Sequence, residues 1–135
     1  MFDFDNETGF VSNSIELYGP QNNASPYGVE FSAENKKVYA TVGFGISGNQ
    51  GSQILQWDLE SSNIPNSQQS IHSSFNLSAG AIQLGIDKRI YRAQIDITSV
   101  EAFQNSGAYI GVLENPELNG AAVVYNQQGV LLDIN

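Results

Sequence analysis

The chain has 135 residues, no cysteine, and 14 acidic against 5 basic side chains, for a net charge of −9. That length suits one domain that buries about two thirds of its unfolded surface. Without cysteine there is no disulfide framework or thiolate metal site. The negative charge repels phosphate backbones and anionic lipid, so neither nucleic acid nor membrane insertion is expected.

In chain order, Phe2-Asp-Phe-Asp5 alternates aromatic and acid, the two-residue period of a half-buried strand. Asn6 to Gly9 reads as a turn, Ser14 to Tyr18 as a second short strand, and Gly19-Pro20 as its end. Val29 to Ser32, a turn at Glu34-Asn35 and Val38 to Phe44 form a hairpin, with Val38, Ala40 and Val42 alternating against Tyr39 and Thr41. A glycine-rich loop leads to Gln53 to Leu59, where Ile54, Gln56 and Asp58 oppose Leu55, Trp57 and Leu59. Gln69 to Phe75 is polar and reads as an outermost strand. A second set follows: Ala81 to Gly85, a turn at Asp87, Arg89 to Ile97, a loop with a helical turn at Val100 to Phe103, Ala108 to Glu114, and Ala121 to Tyr125. Gln127-Gln-Gly129 then turns into the apolar run Val130 to Ile134.

The two sets are copies. Val29 and Ile82 stand 53 residues apart (82 − 29), and Tyr39 and Tyr91 stand 52 apart (91 − 39), so one deletion in the turn restores the register. The spacing of 53 also links Phe4-Asp5 to Trp57-Asp58, and Trp57 to Ile110. Repetition at this period predicts an all-β fold of about two and a half four-stranded antiparallel β-propeller blades. Residues 1–25 make a half blade, 26–78 a blade, and 79–135 a blade with a C-terminal strand. All five basic residues fall in the repeated hairpin, as Lys36, Lys37, Lys88, Arg89 and Arg92, and read as recurring solvated turn residues.

Gly43 to Gly48 spells G-x-G-x-x-G, but a strand rather than a helix follows it, so a hairpin loop is the better account. Asp3, Asp5 and Glu7 have the alternate spacing of calcium ligands, yet Thr8 takes the glycine position and Ser14 the bidentate acid's. His72 lies among Ser70, Ser73 and Ser74, and adjacency along a strand supplies no triad geometry. Trp57, Tyr27, Tyr39, Tyr91 and Tyr109 suit sugar stacking, but their recurrence at the repeat period favours packing between blades. Asp58 reads as a structural acid tying turns together. No catalytic, cofactor or metal residue is assigned. Trp57, Tyr18 and Tyr125 are the possible ligand or interface residues.

FDFDNETGFVSN, SPYGVEFSAENKKVYAT, ILQWDLESSNI, GAIQLGIDKRIYRA and GVLENPELNGAAVVY together resemble propeller-like repeats of large secreted, cell-surface proteins of Bacteroidota. Arg92 stands where those repeats usually have a small or apolar strand residue. The resemblance, WD-repeat-like or lactonase-like in kind, implies an exported precursor associated with adhesion, gliding motility or type IX secretion. It implies an extracellular or cell-surface place and no cofactor. The expected function is a non-enzymatic scaffold or adhesion and protein-interaction module. Open sheet edges are expected to recruit a protein partner or a second copy. Two alternatives are a lectin-like propeller that binds glycan between several chains, and a lactonase-like metal-dependent hydrolase using Glu30 and Glu114.

Overall fold

A computed structural model describes residues 1–19, 24–44, 51–105 and 108–132. It is all-β, with three antiparallel sheets and no closed barrel among the described residues. Strands β1 (Asp3–Phe4) and β2 (Val11–Ser12) form a small hairpin. Strands β3 (Ala24–Phe31), β4 (Lys37–Phe44), β5 (Ser52–Asp58) and β6 (Gln69–Ser74) form the first four-stranded sheet, each pairing with the next. The second sheet repeats that order with β7 (Ile82–Leu84), β8 (Ile90–Arg92), β9 (Tyr109–Leu113) and β10 (Tyr125–Leu131). A short helix, α1 (Val100–Asn105), lies in the β8–β9 connection.

Register makes the repeat explicit. Phe31 pairs with Val38 and Val29 with Ala40, while Leu84 pairs with Ile90 and Ile82 with Arg92. The two turns share their hydrogen bonds: Ser32 N donates to Lys37 O and Asn35 N to Ser32 O, as Gly85 N donates to Arg89 O and Lys88 N to Gly85 O. Asn35 and Lys88 both adopt positive φ, at 56° and 66°. Dropping one residue between these turns and the second strand accounts for the change in spacing from 53 to 52.

The third strand keeps a different register from the expected one. Val38 faces Trp57 and Ile90 faces Leu113, so Trp57 corresponds to Leu113, 56 residues on (113 − 57), and Ile54 to Ile110. The equation of Trp57 with Ile110 was out of register because the loop between second and third strands is longer in the second unit.

Strands β4 and β5 are buried on both sides, their polar residues Thr41, Ser52 and Gln56 included. Alternation splits them into two faces. On the front, Val38, Ala40, Val42, Leu55 and Trp57 pack against Leu17, Tyr18, Leu59 and Ile64. On the back, Tyr39 and Ile54 pack against Ile82, Ile90, Leu113 and Val123 of the second unit. Each fully buried aliphatic contributes about 1.5–3 kcal/mol of transfer free energy. Gly28 brings β3 close to β7, since a Cβ there would sit 3.0 Å from Gly80 O and from Ile82 N.

Several strand boundaries differ from those expected, and β3 begins at Ala24 rather than Val29. The second N-terminal strand is Val11–Ser12 rather than Ser14 to Tyr18, because Asp5 Oδ1 accepts the amides of Glu7 and Thr8 and closes the turn early. Asn13, at φ 50°, then ends it. Regular β8 stops at Arg92, although Ala93, Ile95 and Ile97 continue backbone hydrogen bonding to residues 76–81. The expected strand Ala121 to Tyr125 is instead a 3-10 turn at Gly120–Ala122 followed by β10. Gln127 to Gly129 is a bulge inside β10, not a hairpin turn. Gly129 permits it, for a Cβ there would lie 2.4 Å from Val112 Cγ2.

Candidate interaction surface

The joint between the two large sheets is built from polar side chains on the back of the first. Tyr39 Oη donates to Pro116 O at 2.7 Å, and Gln56 Nε2 donates to Leu118 O at 2.6 Å. Gly120 N donates to Gln56 Oε1 at 2.8 Å. Ser32 Oγ and Glu34 N both donate to the Glu117 carboxylate, and Leu84 N donates to Glu30 Oε2. Burial pushes the Tyr39 phenol well above its ordinary pKa, so it remains a donor at any ordinary pH.

The same face of the second unit is open at Tyr91, Ala93 and Ile110, while Val112 is buried. By register Tyr91 corresponds to Tyr39, Ala93 to Thr41, Ile110 to Ile54 and Val112 to Gln56. Ile54 is fully buried, whereas Ile110 is only half-buried. A cleft of about 440 Å³ opens here, lined by Tyr91, Ile110, Gln83, Ala81 and Ala93, and reaches round β7 to Glu30. Tyr91 Oη donates to Asp87 Oδ2 at 2.6 Å, in its own unit's turn. That bond, then Arg89, lowers the Asp87 carboxyl to about 2.

An ion pair also recurs. Lys37 Nζ lies 2.8 Å from Asp58 Oδ1, directly across the ladder, and Arg89 Nη1 lies 3.2 Å from Glu114 Oε2, just beyond the Ile90–Leu113 pair. The Lys37 hydrogen bond holds the Asp58 carboxyl below the usual carboxylate range. Asp58 Oδ1 also accepts Glu60 N, so the acid ties its turn to the neighbouring strand.

The sequence candidates scatter through this frame. Trp57 is in the core at 1% exposure, with Nε1 unpaired among the described residues. Tyr18 packs on the front of the first sheet. Tyr125 packs in the joint, its hydroxyl donating to Gln94 and its ring 4.6 Å from that of His72. The three are therefore not brought to one surface. Burial, then the charge of Arg92, holds His72 below its ordinary pKa, and no hydrogen bond joins it to Ser70, Ser73 or Ser74 among the described residues. Glu30 and Glu114 are committed to separate partners, Leu84 N and Arg89. Asp5 accepts amides of its own turn. No group of three metal-binding side chains occurs among the described residues. The motif Gly43 to Gly48 lies largely outside the described residues.

The basic residues need a correction. Lys36 and Lys88 are exposed, but Lys37 and Arg92 are buried, so repetition of solvated turns does not explain them. Arg92 occupies the position of Ala40, and its Nη2 donates to Ser52 Oγ and Ser78 O. Its guanidinium lies 5.9 Å from the Tyr125 ring centroid, while Nε and Nη1 have no partner among the described residues. Sequence reasoning missed this residue, Gln56 and Glu117. The available signal for Arg92 was a charged residue in a strand at the position where the first unit has Ala40.

No protein-family model, no curated protein and no solved structure matches this chain. No described helix is long and apolar enough to cross a membrane.

Proposed function

We propose that the chain is a run of β-propeller-like blades that serves as a non-enzymatic scaffold or protein-interaction module. The observation that supports this reading is front-to-back stacking. The second unit lays an apolar front on the tyrosine-bearing back of the first, and the first unit's apolar front is covered in turn by the preceding Leu17 and Tyr18, with the same turn and ion pair in both units. Such faces are not self-complementary, so stacking propagates until a partner or closure covers the last one. The open back of the second unit is the surface on which that partner is expected. A secreted or cell-surface setting, within a larger exported protein, rests on the sequence resemblance.

Light scattering over a concentration series tests the reading, together with glycan-array and lactone-hydrolysis screens of the same preparation. Self-association that Ile110→Asp abolishes supports the scaffold. Lactone turnover lost in Glu30→Gln would replace it with a hydrolase, and saturable glycan binding would replace it with the lectin.

A further inference from the structure

We propose that the free edge of β1 accepts a partner β-hairpin whose adjoining strand reads basic residue, β-branched aliphatic, tyrosine. This rests on the blade reading and adds the chemistry of the partner.

One acid of the repeated turn, Asp5, lacks a cation among the described residues. Asp58 ends the third strand of the first unit and Glu114 directly follows that of the second, and each is ion-paired with the basic residue at the start of the second strand, Lys37 in β4 or Arg89 just before β8. Asp5 stands 53 residues before Asp58 (58 − 5) and closes the same kind of turn: its Oδ1 accepts Glu7 N as Asp58 Oδ1 accepts Glu60 N. Thus β1 is the third strand of a unit. Among the described residues no second strand lies beside it, and no cation pairs with Asp5. Asp5 N bonds to Phe10 O, toward β2, so alternation turns the N–H and C=O of Phe4 to the open edge. Trp57, at the equivalent position, has β4 on that side.

What the edge would take is written twice in the chain. β4 opens Lys37-Val38-Tyr39, and Arg89 directly precedes the Ile90-Tyr91 that opens β8. In both, the base meets the acid and the β-branched residue meets the large apolar residue before it, Trp57 or Leu113.

An independent observation places the hairpin's other strand. In the second unit Ile82 of β7 is 7% exposed, and Leu84 packs against the first sheet. Their counterparts Val29 and Phe31 on the front of β3 are 67% and 40% exposed. These are the residues that the first strand of a preceding unit would cover, as β7 covers the back of β3. The occupant is a hairpin on a separate polypeptide rather than a second copy. Both such hairpins of this chain, β3–β4 and β7–β8, already belong to sheets of their own.

The test uses the intact, isotope-labelled chain and a synthetic peptide of residues 81–94, which carries Arg89-Ile90-Tyr91. Saturable amide shifts at Phe2 to Asp5 and at Val29 to Phe31 are expected below about 1 mM peptide. Asp5→Lys should weaken binding about tenfold, and an Arg89→Glu peptide should restore it on that variant. No saturable shift, shifts confined to the β6 or β10 edge, or an unchanged affinity of Asp5→Lys would each overturn the hairpin. The blade reading has its own readout in the same spectra: Ile54–Ile82 and Ile54–Ile90 side-chain contacts. Their absence sinks the stack, while their presence without peptide binding sinks only the hairpin.

Discussion

The two four-stranded units share strand order, turn, ion pair and register, yet β4 and β5 run to eight and seven residues while β8 and β9 run to three and five. The longer strands are covered on both faces and the shorter on one. Covering matters because water competes for ladder hydrogen bonds wherever a face is open. The second unit instead folds its own residues onto the open side: the β10 bulge roofs Val112, and Tyr91 bonds to Asp87.

Exchanging equivalent residues breaks or sharpens this comparison. Ile54→Ala should cost about 2–5 kcal/mol in urea denaturation and Ile110→Ala less than about 1.5, because only Ile54 has a sheet on top of it. Equal losses would mean that the covering sheet adds nothing. Arg92→Ala copies the first unit's Ala40 and should cost about 2–4 kcal/mol through the cavity it leaves. Arg92→Met should be neutral or stabilising, since it fills the same space without a buried charge lacking a carboxylate. A loss with Met equal to that with Ala would show that the guanidinium's hydrogen bonds, not its volume, hold the joint.

Gln56→Val installs the second unit's Val112 in the first. It strands Leu118 O and Gly120 N, so about 1–3 kcal/mol should go. Asp58→Asn is expected to cost about 1 kcal/mol at neutral pH. The Asp58 pKa lies below 3.8 in the folded state. Its contribution is therefore present above the ordinary carboxylate range and disappears as pH falls through the lowered folded value, so wild type and variant should converge in strong acid. A difference that persists in acid would exclude the carboxylate as its source. The smallest effect is at the turn: Lys88→Asn, copying Asn35, should stabilise by about 0.5 kcal/mol, because asparagine tolerates positive φ better than lysine does.

Recurrence was readable because solvent-exposed turns and alternating strands leave their period in the letters. The deletion after the turn could be counted, and Asp58 was recognisable as a turn acid. The third-strand register was not, since loop length between strands is free and only hydrogen-bonded pairing shows that Trp57 matches Leu113. Tyr18 and Tyr125 looked like loop aromatics, and packing drew each against a different face.

Sequence alone determined the two repeated hairpins, their turns and the spacing between them, because backbone sterics and side-chain alternation act over neighbouring residues. Only tertiary structure decided that Lys37 and Arg92 are buried, that Gln56 clasps a loop 62 to 64 residues further on, and that one tyrosine of the repeated pair is sealed while the other faces a cleft. Those outcomes depend on which sheet lies above a given face, and neighbouring letters carry no record of that.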